Sequence, residues 1–323
     1  MPGDRRLERE DIMVVHGHKW LNRGRLFGTA FLLLCATARQ AQAQKPEQAS
    51  APDWKPVDEA MGRPGKAQPG DVYKYSFPRS DLQVRIGEVT LKPALALGGW
   101  VAFKRMGRDA MAMGDLVLLQ NEVGPVMAKL QEMGVTQTAL HNHLLQESPH
   151  VMYMHIGARG DPTKIARALH AALALTKTPP AAPAPPAAAS VDLDTTRIAS
   201  TLGHGGTVNG GVYQVSVPRA EPVRVEGMEV PPSMGVATAI NFQPTGGGKA
   251  AITGDFVLTG GEVNPVIQAL RAGSIQVTAL HSHMLTDEPR LFFMHFWAND
   301  DALKLARGLR AALDRTKSKP ATS

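Results

Sequence analysis

Two stretches of this 323-residue chain repeat one another at an offset of 140 residues, and no other feature limits the fold as much. Val72-Tyr73 and Ser76 through Pro78-Arg79 recur as Val212-Tyr213 and Ser216 through Pro218-Arg219. Gly114-Asp115 recurs as Gly254-Asp255, and Thr138-Ala139-Leu140-His141 recurs as Thr278-Ala279-Leu280-His281. A chain of this length can bury two ordinary cores. The boundaries that follow are a short linker at 44–53, a first repeat over 54–177, a second over 191–317 and a tail at 318–323. Between the repeats, 178–190 (TPPAAPAPPAAAS) has nothing to pack and reads as a semi-rigid spacer.

Each copy carries the same order of elements. The patterns predict a short helix over Lys55–Met61 and over Thr195–Leu202, the second capped by Asp194. Strands follow at Val72–Phe77 and Val212–Val217, then near Gln83–Val89, Trp100–Arg105, Val223–Glu229 and Ala237–Phe242. A buried strand (Leu116–Leu119, Phe256–Leu258) leads into a helix with Pro125 or Pro265 at its first position and Gly124 or Asn264 as N-cap. Two strands come next, Thr136–His143 and Val151–Gly157, with counterparts Val277–His283 and Leu291–Ala298. In the closing helices Ile165, Leu169 and Leu173, or Leu305, Leu309 and Leu313, recur at four-residue spacing on one face. The fold class is therefore α+β: two tandem copies of a β-rich domain, each with two helices packed on an antiparallel or mixed sheet. The β-α-β-β-α order resembles a split, ferredoxin-like arrangement.

The first 43 residues read as a signal peptide, with Lys19, Arg23 and Arg25 before an apolar run, Leu26–Leu34, and Ala41-Gln42-Ala43 as the cleavage site. Met13 would give such a signal an ordinary length. The apolar run is too short for a stable membrane span, and Leu34 before Cys35, the only cysteine, disfavours lipid anchoring there. The expected location is periplasmic or secreted, and a mature chain without cysteine needs no disulfide there. About half of the net charge of +6 lies in the signal segment. With no basic stripe and no interleaved aromatic platform in the remainder, a nucleic-acid partner is not expected.

Chemistry is concentrated in a His-x-His on one strand and a third histidine on the next: His141, His143 and His155, repeated as His281, His283 and His295. Residues i and i+2 of a strand face the same way, roughly 6.5–7 Å apart. Two such imidazoles can converge on one ion with bonds of about 2.0–2.1 Å, and a hairpin partner can bring the third. His155 shares a side with Tyr153, while Met152 and Met154 point the other way; His295 and Phe293 repeat this against Phe292 and Met294. The alternative reading is six histidines that lock hairpins through hydrogen bonds.

Carboxylates are retained as well. Glu122 and Glu262 could complete a His₃-carboxylate shell or act as the catalytic base on a metal-bound water. Both also precede a helix, where the macrodipole favours negative charge. Asp115 and Asp255 follow a glycine, a common turn pair. Glu147 and Asp287 offer a further carboxylate from the loop beside the histidines. Met152, Met154, Met111 and Met113 would suit copper, but the second copy keeps only Met294, so zinc or another divalent ion is expected first. Gly246-Gly247-Gly248-Lys249 lacks the rest of a phosphate loop and reads as a hairpin turn. No Gly-x-Ser-x-Gly elbow and no His-Glu-x-x-His helix occurs.

These blocks, with the TALHNHLL and TALHSHML cores, the following proline, the Met-His pair and the Ala/Leu-rich closing helix, resemble the LppY/LpqO family of uncharacterised exported proteins over about Trp54–Lys317. The resemblance implies an extracytoplasmic, tandem architecture and supplies no reaction. Three functions fit the residues: an exported metal-binding protein, a metal-dependent hydrolase or lyase with Glu122 or Glu262 as base, and a metal-free module for a small-molecule or cell-envelope ligand. The repeats could hold separate ions or build one composite site.

Overall fold

The computed structural model describes residues 53–180 and 190–320. Residues 1–52, on which the expected signal peptide, Met13 and Cys35 fall, and 181–189 and 321–323 lie outside the described residues. The first repeat runs α1 (Lys55–Met61), β1 (Lys66–Gln68), β2 (Val72–Pro78), β3 (Arg85–Ile86), β4 (Val89–Thr90), α2 (Pro93–Ala96), β5 (Gly98–Met106), β6 (Asp109–Leu119), α3 (Gln120–Glu132), β7 (Thr136–His141), β8 (Val151–Gly160) and α4 (Pro162–Leu173). Its six-stranded sheet has the order β1-β2-β5-β6-β8-β7, with every neighbouring pair antiparallel. β8 lies between β6 and β7, which makes the split βαβ arrangement.

The second repeat copies this. It comprises α5 (Thr195–Leu202), β9 (Gly206–Asn209), β10 (Val212–Pro218), β11 (Val223–Val225), β12 (Met228–Val230), a 3₁₀ turn at Pro232–Met234, β13 (Ala237–Gly246), β14 (Lys249–Thr259), α6 (Gly260–Ala272), β15 (Gln276–His281), β16 (Asp287–Glu288), β17 (Leu291–Asp301) and α7 (Ala302–Leu313). Its sheet order, β15-β17-β14-β13-β10-β9, mirrors the first. Asp194 caps α5 as expected, and Asp161 and Asp301 cap the closing helices α4 and α7.

Strand alternation sends each sheet's two faces to different partners. Tyr75, Phe77, Val101, Phe103, Leu116, Leu118, Met154 and Ile156 pack under α3 and α4 with Val126, Leu130, Ile165 and Leu169. Residues of the other face pack on the other repeat: Val72, Ala102 and Met111 join Val223, Met234, Val257 and Phe293, and Leu95, Val117 and Tyr153 join Val212 and Ala251. The layers are therefore helix, sheet, sheet, helix, with two cores shared by the repeats. Each repeat also lends an arm to its twin. The backbone around α2 is held by Gln243, which accepts from Lys92 N at 2.8 Å and donates to Thr90 O at 2.8 Å, and by Gln214, which donates to Ala94 O at 2.8 Å. In return the Pro232–Met234 turn meets the first sheet, where Lys74 Nζ donates to Ser233 O at 3.2 Å.

Four expectations are corrected. The strand near Gln83–Val89 is instead the hairpin β3–β4, turning at Gly87 (φ 56°), and Val223–Glu229 likewise breaks at Glu226 and Gly227 (φ 51° and 76°). α3 and α6 begin earlier than Gly124 and Asn264: their N-caps are Leu119 and Thr259, and Pro125 and Pro265 lie inside the helix. Glu122 and Glu262 explain the shift, because each carboxylate reaches back to accept from the N-cap amide, at 2.8 and 2.7 Å, the glutamate half of a capping box. The His-x-His strands end at His141 and His281, leaving His143 and His283 on the following bend. Gly114-Asp115 is not a turn but the middle of β6. A Cβ on Gly114 would stand 2.7 Å from Trp100 O, and on Gly254 1.9 Å from Ala239 O, so glycine serves close strand approach there.

Candidate metal centre

All six histidines meet between the two sheets. His141 and His281 end the edge strands β7 and β15, and His155 and His295 sit within β8 and β17. The rings form two triads laid face on face. His141 stacks on His281 with centroids 3.5 Å apart, His143 on His295 at 3.8 Å and His155 on His283 at 3.6 Å. Within a triad the spacing is wider, 5.1 Å for His141–His143 and 5.0 Å for His141–His155, repeated as 5.1 Å for His281–His283 and 5.0 Å for His281–His295. Tyr153 backs His143 at 3.3 Å, and Phe293 backs His283 at 3.6 Å. The sequence pairing of His155 with Tyr153 and of His295 with Phe293 thus describes one packed wall.

Asp115 and Asp255 join the histidines, because strand register sets Asp115 opposite His155 and Asp255 opposite His295. Asp115 Oδ1 lies 3.7 Å from His155 Nε2, and Oδ2 lies 3.8 Å from His143 Nε2. Those distances are too long for hydrogen bonds. They suit donors arranged about a common cation.

The ring nitrogens divide by role. His295 Nδ1 donates to Gly254 O at 2.9 Å, and His141 Nδ1 faces Asn142 O at 3.2 Å. A donor bond at Nδ1 leaves the lone pair on Nε2, the orientation typical of metal-ligating histidine. Nε2 of His141, His143, His155 and His295 and Oδ1 of Asp115 are buried without a hydrogen-bond partner among the protein groups. His281 Nε2 and His283 Nε2 approach to 3.1 Å. Two nitrogens on one tetrahedral ion with bonds of about 2.0–2.1 Å stand roughly 3.3 Å apart. Three sets of donor atoms close to within 4.8 Å: His141, His143 and His155; His141, His281 and His283; and Asp255, His283 and His295.

Burial sets the charge states. It holds His141 down to about 4 and His281 down to about 3, and it lowers His143, His155, His283 and His295 well below the ordinary imidazole range. All six are neutral near pH 7, as ligation requires. Burial, then the charge of Asp255, raises Asp115 to about 8, and burial raises Asp255 to about 7. Lys74, its ammonium 4.0 Å above the Trp100 ring, is lowered to about 8 by burial, with both aspartates opposing the shift.

The structure does not bring Glu122 and Glu262 to the histidines. Glu122 accepts from Arg79 Nη1 at 2.7 Å, Arg79 Nη2 at 3.1 Å, Leu119 N at 2.8 Å and Lys177 N at 3.3 Å. Glu262 repeats the clasp with Arg219, at 2.7 and 3.2 Å, and with Thr259 N and Lys317 N, each at 2.7 Å. Both carboxylates are occupied in tying α3 or α6 to the end of the repeat. Asp287 is held by Arg290 at 2.7 Å, whereas Glu147 stands 2.6 Å from His150 Nδ1 with both of its buried oxygens lacking a hydrogen bond. Met154 and Met294 pack under the helices. Two shallow surface hollows lie elsewhere, one by His204 and Arg310 and one by Arg219 and Glu229.

Two segments, residues 55–175 and 196–315, match the model of one family, described as Domain of Unknown Function (DUF1259). The chain belongs to that family and carries its domain twice. No curated protein matches the sequence. Among solved structures the chain is similar to a trimeric bacterial microcompartment shell protein, PduB, at 12% identity over 79% of this chain and 95% of that one, with a TM-score of 0.22. It is also similar to EtuB from Clostridium kluyveri, at 11% identity over 80% and 95%, with a TM-score of 0.20. Likeness at that score carries no argument about this DUF1259 chain, whose function rests on the site itself.

Proposed function

We propose that this chain is an exported metal-binding protein whose two repeats together enclose one composite centre for divalent transition metal, zinc first. The observation that carries this reading is the set of buried Nε2 atoms on His141, His143, His155 and His295, converging with a carboxylate oxygen and lacking any protein partner. A buried polar atom left unsatisfied costs about 1–3 kcal/mol. Four nitrogens and an oxygen gathered in one place make that arrangement costly unless a cation completes it. Imidazole and carboxylate suit zinc and its neighbours, while the methionines lie on the helix side or in apolar clusters. The export part of the reading rests on residues 1–43 and the finer family resemblance on the TALHNHLL and TALHSHML blocks.

Binding and retention of metal fit this centre better than hydrolysis of a large substrate. Each ring is stacked on another ring, and Glu122 and Glu262, the expected bases, are held by Arg79 and Arg219. The test is elemental analysis of the full chain, purified without a histidine tag, before and after dialysis against zinc. Retained zinc that falls in a folded His141→Ala/His281→Ala variant supports the reading. A folded wild type that neither retains nor takes up zinc, copper, manganese or iron sinks it, and the histidines then act as a hydrogen-bonded seam.

A further inference from the structure

We infer that the composite centre holds two metal ions, one in each half, rather than a single ion shared by six histidines. This rests on the metal-binding reading above and goes beyond it in assigning a second ion position. Six imidazoles around one octahedral ion would need all six Nε2 atoms at one point. The donors instead close up as triads among the described residues. Two of those triads, His141/His143/His155 and Asp255/His283/His295, share no residue, so filling one leaves the other complete.

The duplication gives the two halves related donor sets, three histidines in the first and two histidines with Asp255 in the second. Asp115 stands 3.7 and 3.8 Å from His155 Nε2 and His143 Nε2, where Asp255 stands beside His295 and His283 in the twin. Each half thereby offers three close donors, with Asp115 beside the first set and His281 beside the second as a fourth, enough for a four-coordinate ion. The halves are not separate sites, because every ring of one triad lies 3.5–3.8 Å from a ring of the other. His141 also falls within reach of His281 and His283, so the two ions share one enclosure.

The measurement is metal stoichiometry on the full chain, with zinc for counting and Cu(II) for spectroscopy. Wild type is expected to take two zinc ions, and His143→Ala/His155→Ala and His283→Ala/His295→Ala to take one each. Copper titrated into wild type is expected to give an electron paramagnetic resonance signal at the first equivalent. A second equivalent should broaden or quench that signal through coupling of two close ions. This arm uses the unaltered protein, so it stands even where a variant fails to fold. One zinc per wild-type chain, or a second copper that adds an uncoupled signal, overturns the two-ion centre while leaving metal binding intact. No metal at all overturns both.

Discussion

Replacing Glu122 with alanine should cost stability and leave metal content per folded chain unchanged. Its carboxylate is buried, pairs with Arg79 through two bonds of 2.7 and 3.1 Å, and caps α3 through Leu119 N at 2.8 Å. Removing one partner of a buried pair costs about 3–5 kcal/mol, because the survivor stays buried and uncompensated. Arg79 is only 1% exposed and cannot turn to water, but Asp81 still holds it at 2.9 Å, which favours the lower end of that range. The lost cap adds about 0.5–2 kcal/mol. The expected loss is therefore about 3.5–5 kcal/mol, or roughly 7 °C or more in Tm for a unit of this size. Urea and thermal unfolding followed by circular dichroism read this directly, with zinc content measured on the same folded samples. A variant with wild-type stability that has lost its metal would return Glu122 to the ion and refute the clasp.

Three further outcomes follow from the same coordinates. Gly254→Ala should destabilise strongly, since its Cβ would meet Ala239 O at 1.9 Å, whereas Gly261→Ala in α6, with nothing within 4 Å, should gain about 0.5–1 kcal/mol; chemical denaturation of the pair checks both. Gln243→Ala removes both hydrogen bonds that hold the Thr90–Lys92 arm and should cost about 1–3 kcal/mol, seen as faster proteolysis of that arm. The metal-free chain should lose stability as pH falls from about 6.5 toward 4, because the unfolded histidines take up protons that buried His141 and His281, held to about 4 and about 3, refuse. Asp115 and Asp255 act with the opposite sign: raised from near 4 to about 8 and about 7, they lose stability as pH rises from about 4 to 8, a slope that the six lowered histidines outweigh below about 6.5. Stability of the apo chain measured from pH 4 to 8.5 should therefore peak near neutrality, and a monotonic rise to pH 8.5 would show that the aspartates are not buried as described.

Much of this was legible in the sequence because duplication compares the chain with itself. The helices α1 and α5, the closing helices and the histidine positions follow from spacing and caps, which are local signals. The failures were also physical. Pro125 predicts a first helical position with Gly124 as N-cap, whereas Glu122, accepting from Leu119 N, moves the start to Gln120. The glycine before Asp115 predicts a turn, whereas Gly114 lies mid-strand where a Cβ would collide with Trp100 O. Retention of Asp115 and Asp255 beside retained histidines was the available sign of their role. That the repeats face each other could not be read from spacing, because the apolar residues that join them, such as Val117 and Val257, look like ordinary strand core, and polar Gln214, Asn241 and Gln243 complete the interface.

The central claim is that the histidines ligate metal through nitrogen in a centre shared by the repeats. Zinc K-edge X-ray absorption on the zinc-loaded full chain tests it most directly. The account predicts a first shell of nitrogen and oxygen at about 2.0–2.1 Å, with the outer-shell scattering of several imidazoles that weakens when either His143/His155 or His283/His295 is replaced by alanine. A first shell of water oxygens without imidazole scattering, unchanged in both variants, would contradict it.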